Sequence, residues 1–406
     1  MNDESIRGRL INVLFATNGL TSTSFIAIIT VAPIVAADIS GSKSVAGIPS
    51  TAATVGTALG ALVIGSLGAR HGRRRSFGTG LAVSSIGALL AVVALLSRQF
   101  LLFAVALFVI GFGRSSSQLA RYAAGDLTDE RRRGAAISKV VWAATIGAIA
   151  GPVLIGPAGD AASRLGFDPN TGPIVLAVVG FALASLVVWV LLRPEPLTLA
   201  VRRPGDEVIV PKAPLGAVLG TRTVRLSVIV LITSQLVMVL VMTMTPLHIE
   251  DAGLGLQTVA WVMMAHTIGM FAFAPITGLL VDRLGTRAVM TAGGVILIAS
   301  CLGAATTAGT DTPVMMATLL GLGLGWNFGF VSASTLLQHG LTMAERLRVQ
   351  GIADAATWLS GGFGAATSGV VVAVGSYSVL AVAAAVLATS ILLAVGSERL
   401  VAPAPV

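Results

Sequence analysis

The sequence predicts an all-α integral membrane protein, and three observations carry this prediction. Of 406 residues, 55% are hydrophobic and 11% are charged, and the mean hydropathy is +0.91. The apolar runs last about 20 residues or more, the length that a helix needs to cross about 30 Å of hydrocarbon. A transmembrane β-barrel would instead show alternation over about ten residues, so that class is excluded. The 47 glycines follow no repeating triplet and favour closely packed helices.

Hydropathy predicts twelve membrane-spanning segments joined by mostly short polar connectors. The polar start of the chain leads into a long apolar run without a small-residue cleavage site, which predicts a spanning helix and not a removed signal peptide. The long connector, 193–223, carries five prolines, so we expect a cytoplasmic linker between two six-helix bundles, 1–192 and 224–406. The twelve segments are 10–37, 45–68, 77–97, 99–124, 137–159, 173–192, 224–247, 257–281, 286–308, 313–337, 349–374 and 377–397.

Basic residues predict the orientation, because positively charged loops stay in the cytoplasm. With the N-terminus inside, 21 of the 26 Lys and Arg residues fall in cytoplasmic segments. Three fall outside (Lys43, Arg98 and Arg164), and Arg114 and Arg121 lie within the fourth segment. Both termini are therefore predicted to be cytoplasmic, in a multi-pass protein of the plasma or inner membrane. Basic loops that face anionic lipid headgroups explain the net charge of +8, so no nucleic-acid partner is expected.

The residues that enzymes need are sparse in this sequence. A single cysteine, Cys301, excludes a disulfide framework and a thiolate metal cluster. The four histidines lie far apart, without the HExxH spacing of zinc hydrolases. No nucleophile and base pattern accompanies them, so we expect neither an enzyme nor a bound metal or cofactor.

The two predicted bundles repeat one another. Glycines that end the second and eighth segments are offset by 213, and glycine pairs inside the fourth and tenth segments are offset by 212. Two halves in parallel order are typical of alternating-access transporters, whose substrate site lies between the halves near the midplane. The matched glycines are Gly65 with Gly278, Gly72 with Gly285, Gly111 with Gly323, and Gly113 with Gly325.

A loop motif, G-x-L-x-D-R-x-G-x-R, follows the second and eighth segments. The second-half copy has every key residue: Gly278, Leu280, Asp282, Arg283, Gly285 and Arg287. The first-half copy keeps Gly65, Leu67, Arg70, Gly72, Arg73 and Arg74 but has Ala69 at the acidic position. With twelve segments and a long central linker, the chain resembles the major facilitator superfamily over essentially its whole length. The resemblance implies two pseudo-symmetric six-helix bundles.

The motif has a physical logic. Its glycines let helices approach closely, its acid can cap the N-terminus of a helix from the other half, and its arginines can pair with carboxylates. Contacts of this kind form in one state only, so we predict a cytoplasmic latch. The resemblance adds Asp126, at the inner end of the fourth segment. Ala69 predicts that the first-half latch is weaker or that Asp282 carries more of the closure. The predicted latch residues are Gly65, Arg70, Gly72, Arg73, Asp126, Gly278, Asp282, Arg283, Gly285 and Arg287.

The fifth segment contains a run of small residues, Gly147, Gly151, Pro152 and Gly156, that resembles the G-x-x-x-G-P-x-x-G-G motif of the superfamily's antiporters. Ile155 stands where a glycine is usual. Small residues at four-residue spacing give a flat face that can slide on a neighbouring helix, and proline bends the helix. The resemblance favours antiport export, and ordinary helix packing is the alternative interpretation.

The resemblance places the substrate cavity among the first, fourth, seventh and tenth segments, and these segments carry polar groups in their middles. Single serines and threonines also bond their own backbone, and methionines also fill packed cores, so these alternatives stay open. The predicted cavity residues are Asn18, Ser22, Arg114, Gln118, Arg121, Gln235, Met238, Met242, Trp326, Asn327 and Phe330.

Arg114 departs from the antiporter pattern. In that pattern the arginine precedes the G-x-G, where this chain has Leu107, and no mid-membrane carboxylate is evident in the first half. We therefore expect Arg114 to meet a substrate anion, cavity water or Asp354. Arg121 is expected to extend to the membrane interface. His266 and Asp354 are candidates for proton coupling, with packing and an interfacial latch or cap as the respective alternatives.

The sequence thus predicts a secondary active transporter, expected to be a monomer in the lipid bilayer, that exports small amphipathic, drug-like molecules by alternating access. The proton gradient is the expected energy source. The alternative is an organic-anion carrier, for import or export, that uses Arg114. A transport-dead receptor or scaffold would be expected to lose the latch glycines and the cavity polarity, and a channel would not need latch motifs in both halves.

Overall fold

The structure is a computed structural model that describes residues 3–41, 45, 47–200, 215–254, 256–307 and 310–397. The described residues are helical and contain no strand, and twelve of their helical spans are long and apolar enough to cross a membrane. This confirms the predicted all-α, twelve-span fold. Residues 201–214 of the predicted linker lie outside the described residues, as do the basic residues Lys43 and Arg399.

The first six spans match the predicted segments in order, but α1 begins at Asp3 and not at 10, and α5 ends at Arg164 and not at 159. Gly72 joins the second and third spans at φ 90°, a left-handed conformation that glycine adopts without strain. Glu195, early in the linker, accepts hydrogen bonds from the backbone N–H groups of Arg73 and Arg74 at 2.6 and 3.1 Å. The helices are α1 (Asp3–Ser40), α2 (Ile48–His71), α3 (Arg73–Leu96), α4 (Phe100–Asp126), α5 (Arg133–Arg164) and α6 (Thr171–Leu191).

The second half begins with a short helix and continues with the other six spans. Gly285, at φ 84°, makes the turn that corresponds to Gly72. The helices are α7 (Leu215–Leu219), α8 (Arg222–Asp251), α9 (Leu256–Phe271), α10 (Ala274–Leu284), α11 (Thr286–Thr306), α12 (Thr312–Leu336), α13 (Met343–Val374) and α14 (Tyr377–Ser397).

Two predicted segments need correction. The eighth, predicted as one helix over 257–281, is broken between α9 and α10, because Pro275 has no N–H to donate to the preceding turn. The eleventh, predicted to begin at 349, begins at Met343. A reciprocal cap explains the earlier start: the backbone N–H of Thr342 donates to the Glu345 carboxylate at 3.0 Å, and the backbone N–H of Glu345 donates to the Thr342 hydroxyl oxygen at 3.5 Å.

The chain forms two compact units with the same internal pairing of helices. In the first, α2 and α3 both pack on α4, and α6 packs on α1 and α3. In the second, α9 and α11 both pack on α12, and α14 packs on α8 and α11. The units exchange two short segments: 342–359 groups with the first and 130–138 with the second. The division at 192 and 224 stays a prediction.

Candidate functional site

Arg114 is half-buried in the middle of α4, and its guanidinium lies near two aromatic rings. Its guanidinium carbon is 3.9 Å from the ring centre of Phe25 in α1 and 5.8 Å from that of Trp358 in α13. Among the described residues, none accepts a hydrogen bond from Arg114 or forms an ion pair with it, and its Nε is buried. A cation–π contact contributes about 0.5–2 kcal/mol and does not use the N–H donors of the guanidinium.

Arg121 and Asp354 form a buried ion pair, and this corrects two expectations. Arg121 Nη2 donates to Asp354 Oδ1 at 2.5 Å, and Nη1 donates to Oδ2 at 3.3 Å. The Tyr122 hydroxyl donates to the same carboxylate at 3.1 Å. The side chains of Arg121 and Asp354 are 3% and 1% exposed, so Arg121 does not extend to the interface. Asp354 therefore pairs with Arg121 and not with Arg114.

The predicted cavity residues of α1 face α5. Asn18 Nδ2 donates to the Val140 carbonyl at 2.6 Å, and Ser22 is buried against Gly147, where an added Cβ would collide with it. A Cβ at Gly151 would lie 2.7 Å from Ile26. The first two glycines of the predicted antiporter motif thus form a close contact between α1 and α5.

The other motif positions do not share this contact. Pro152 is exposed, and a Cβ at Gly156 would meet no atom within 4 Å. The contact face of α5 is therefore limited to the part of the motif that contains Gly147 and Gly151. The role of this face in export stays a prediction.

In the second unit, Trp326 of α12 is the centre of a small aromatic cluster. Its indole N–H donates to Gln235 Oε1 at 2.8 Å, its ring stacks on Phe330 with centroids 4.6 Å apart, and Phe271 meets its edge. Met238 of α8 is buried, and Met242 is half-buried. Gln118 of α4, in the first unit, is half-buried as well.

Asn327, the next residue on α12, supports the break between α9 and α10. Its Nδ2 donates to the Met270 carbonyl at 2.7 Å, and its Oδ1 accepts from the Thr277 hydroxyl at 2.5 Å. These partners lie before and after the break. Backbone groups that a break exposes within a membrane must find partners in neighbouring helices, and Asn327 supplies one.

The first-half latch residues meet at the end of α2. Arg73 Nη2 donates to Asp126 at 2.9 Å and to Gln350 at 2.6 Å, and Arg346 Nε lies 3.9 Å from the same carboxylate. A Cβ at Gly65 would lie 3.0 Å from the Cα of Gly351. Arg73, Asp126 and Gly65 are thus brought together with α13, whereas Arg70 is exposed.

The second-half latch residues meet at the start of α5. Both oxygens of Asp282 accept backbone hydrogen bonds, from Gly134 at 2.7 Å and from Ala135 at 2.9 Å. A Cβ at Gly278 would lie 2.5 Å from the Gly134 carbonyl oxygen. Arg283 and Arg287 are exposed at the end of α10 and the start of α11.

His266 is buried on α9, where its Nδ1 lies 2.9 Å from the Leu319 carbonyl oxygen of α12. That contact fits a packing histidine whose Nδ1 carries the proton. Its Nε2 is buried, and no described residue bonds it.

Sequence reasoning missed several residues that the structure adds to these sites. Phe25 and Trp358 are aromatic residues within apolar spans, and no local sequence pattern distinguishes them from other residues that pack in the membrane. Tyr122 and Gln350 are polar residues within spans, and such residues merit attention as candidate partners of buried charges. The Thr342–Glu345 cap matches the [ST]-x-x-E signature of a helix start and was readable in the sequence.

Comparison with known proteins agrees with this architecture. A family model described as the Major Facilitator Superfamily matches residues 14–344 and 250–404. A Bacillus subtilis (strain 168) protein named as the uncharacterized MFS-type transporter YddS is 34% identical over 364 residues, 88% of this chain and 84% of the relative. A Brucella anthropi protein named as the riboflavin transporter RfnT is 29% identical over 354 residues, 87% of this chain and 86% of the relative.

Solved structures share the fold at low sequence identity. The proton:xylose symporter XylE has a TM-score of 0.78 and 16% identity, over 98% of this chain and 96% of that one. The human organic anion transporter MFSD10 has a TM-score of 0.75 and 15% identity, over 96% and 99%.

Proposed function

We propose that this chain, which belongs to the Major Facilitator Superfamily and is a secondary active transporter, carries small organic anions that have a flat apolar body. Arg114 would bind the anionic group. The observation behind the proposal is that Arg114 lies within a membrane helix with aromatic rings beside it and no carboxylate paired to it among the described residues.

An unpaired charge within the membrane costs several kcal/mol unless it faces water or a counter-charge. Arg121, in the same helix, is an arginine whose charge is neutralised by a carboxylate of the protein, that of Asp354. A guanidinium can bind a carboxylate with two parallel hydrogen bonds, and its planar fork also stacks on rings. Phe25 and Trp358 would then provide apolar faces beside the bound group. The relative named as a riboflavin transporter agrees with a ring-bearing substrate.

Binding measurements on purified protein in lipid nanodiscs test the proposal. The probes are an aromatic carboxylate series, benzoate and naphthoate, and the matching neutral amides. We expect the carboxylates to bind and Arg114→Ala to weaken them about 10- to 100-fold, the loss of one or two charge-assisted hydrogen bonds. Arg114→Lys should restore part of the affinity, because lysine keeps the charge and loses the fork.

Arg98→Ala is the matched control, since Arg98 forms an exposed ion pair with Asp38 in the same unit. It should leave binding unchanged. Equal affinity for carboxylates and amides, or full affinity in folded Arg114→Ala, would contradict the anion proposal.

Proton-driven efflux of amphipathic molecules is the second candidate function. The close packing of Gly147 and Gly151 on α1 favours it, since these glycines occupy the positions of the antiporter motif. His266 and Asp354 are the candidate proton carriers, in a transporter that we expect to act as a monomer. Proteoliposomes with an imposed pH gradient test it: a gradient should drive accumulation of a fluorescent amphipathic probe, and collapse of the gradient should abolish accumulation.

A further inference from the structure

The two copies of the loop motif differ at the acidic position, which is Asp282 in the second half and Ala69 in the first. In the second half, Asp282 binds the backbone N–H groups of Gly134 and Ala135, the second and third residues of α5. Only the first four N–H groups of an α-helix lack partners within the helix, so an acid can cap the helix only there. Asp282 binds two of these N–H groups, in the first turn of α5.

The first half cannot use such a cap. The helix that corresponds to α5 is α13, which begins at Met343. Gly351 is the counterpart of Gly134, because Gly65 packs against Gly351 as Gly278 packs against Gly134. Gly351 lies more than two turns inside α13, where backbone N–H groups already bond within the helix. The free N–H groups are further back, beside Thr342 and Glu345. An acid at position 69 would therefore meet no free backbone N–H group of α13. Ala69 is exposed.

The close approach of the backbones is nevertheless kept. A Cβ at Gly351 would lie 2.6 Å from the Ala61 carbonyl oxygen, and one at Gly65 would lie 3.0 Å from the Gly351 Cα. In the second half the Gly278 and Gly134 backbones approach equally closely. The first half thus retains the contact surface and lacks only the backbone cap.

We propose that Asp354 replaces the missing acid of the first-half motif and that its ion pair with Arg121 holds the first half of α13 on α4. Asp354 lies three residues after Gly351, about one helical turn. It takes two hydrogen bonds from Arg121 and one from Tyr122. Arg73, which binds Gln350 and Asp126, supports the same stretch of α13. This role concerns conformation and is independent of the proposed substrate.

Cysteine labelling tests this role without any substrate. Ala355 is 4% exposed and adjacent to Asp354. In a Cys301→Ser background, Ala355→Cys should react slowly with N-ethylmaleimide in lipid nanodiscs. We expect Asp354→Asn to raise the labelling rate at least about tenfold, because one charge of a buried pair loses its partner. Asp38→Asn, which breaks the exposed pair with Arg98, should leave the rate unchanged.

Asp354→Asn leaves Arg121 buried without a counter-charge and could therefore prevent folding. A second variant avoids an unpaired buried charge and keeps the test valid if Asp354→Asn does not fold. Arg121→Gln combined with Asp354→Asn removes both charges and keeps side chains that can hydrogen-bond. It should also raise labelling. Ala69→Asp should not restore slow labelling to either variant, since position 69 faces no free helix start. Parental labelling rates in a folded variant of either kind, or rescue by Ala69→Asp, would overturn the proposal.

Discussion

Substitution of Asp282 by Asn tests the second-half latch with a minimal change of shape. The carboxylate oxygens of Asp282 accept from Gly134 and Ala135 separately, and each bond is charge-assisted. Asn has one acceptor oxygen and no charge. The variant therefore loses one of the two hydrogen bonds, weakens the other, and removes a negative charge from the N-terminus of α5.

The expected loss follows from these contacts. Hydrogen bonds to charged groups contribute about 1.5–3 kcal/mol, against about 0.5–1.5 kcal/mol for neutral pairs. A negative charge at a helix N-terminus adds about 0.3–1 kcal/mol. Because Asp282 is half-buried, water screens part of these electrostatic contributions and lowers the expected loss. We expect a net loss of about 2 kcal/mol, which is about 30-fold in the opening equilibrium of the contact at 1.4 kcal/mol per tenfold.

Amide hydrogen exchange measures this opening directly. Peptides that contain Gly134 and Ala135 should exchange about 30-fold faster in Asp282→Asn, since exchange follows the free energy of local opening. Asp311→Asn is the matched control: Asp311 accepts from the Val314 N–H at the start of α12, and asparagine caps helices about as well as aspartate. Unchanged exchange at Gly134 and Ala135 in Asp282→Asn would refute the capping argument.

Three further predictions concern packing and topology. Gly147→Leu should abolish transport, because a side chain there collides with α1, whereas Gly156→Leu in the same motif should be tolerated; equal effects in an uptake assay would assign the motif no sliding face. Asn327→Leu should lower the thermal unfolding temperature by several degrees through loss of its bond to Met270; an unchanged temperature would show that the helix break is satisfied otherwise. Asp168→Cys, in a background without the native cysteine, should react with an impermeant maleimide in intact cells; labelling only after lysis would reverse the predicted orientation.

The spans could be predicted from sequence because hydropathy depends only on the composition of a window of suitable length. Hydropathy did not predict the break between α9 and α10, because the apolar composition continues through it. Pro275 was a visible signal, but proline is tolerated in spanning helices when a neighbour satisfies the freed backbone groups. Asn327 is that neighbour, and it lies far along the chain from the break. Only the folded structure joins the two.

The candidate sites show a similar limit. The loop motif identified Asp282 correctly as an acid that meets a helix start, because a resemblance transfers local patterns. The pairing of Arg121 with Asp354 joins residues 233 positions apart, and the sequence offered Arg114 and Arg121 as equal candidates on one face of α4. Which arginine meets the carboxylate depends on the packing of α13, and spacing along one helix carries no information about it.

The pairing of Arg121 with Asp354 supports both proposals, in which Arg121 holds a conformation and Arg114 binds substrate. Removing two charges from water is costly, so a buried ion pair adds little net stability compared with a packed apolar contact. That property suits a contact that must open during each transport cycle, because water that enters on opening hydrates both Arg121 and Asp354 and lowers the cost of separating them. An apolar replacement would gain nothing from this hydration and would favour the closed contact. Arg114 has no such partner among the described residues, which is why we propose that its charge binds the substrate anion.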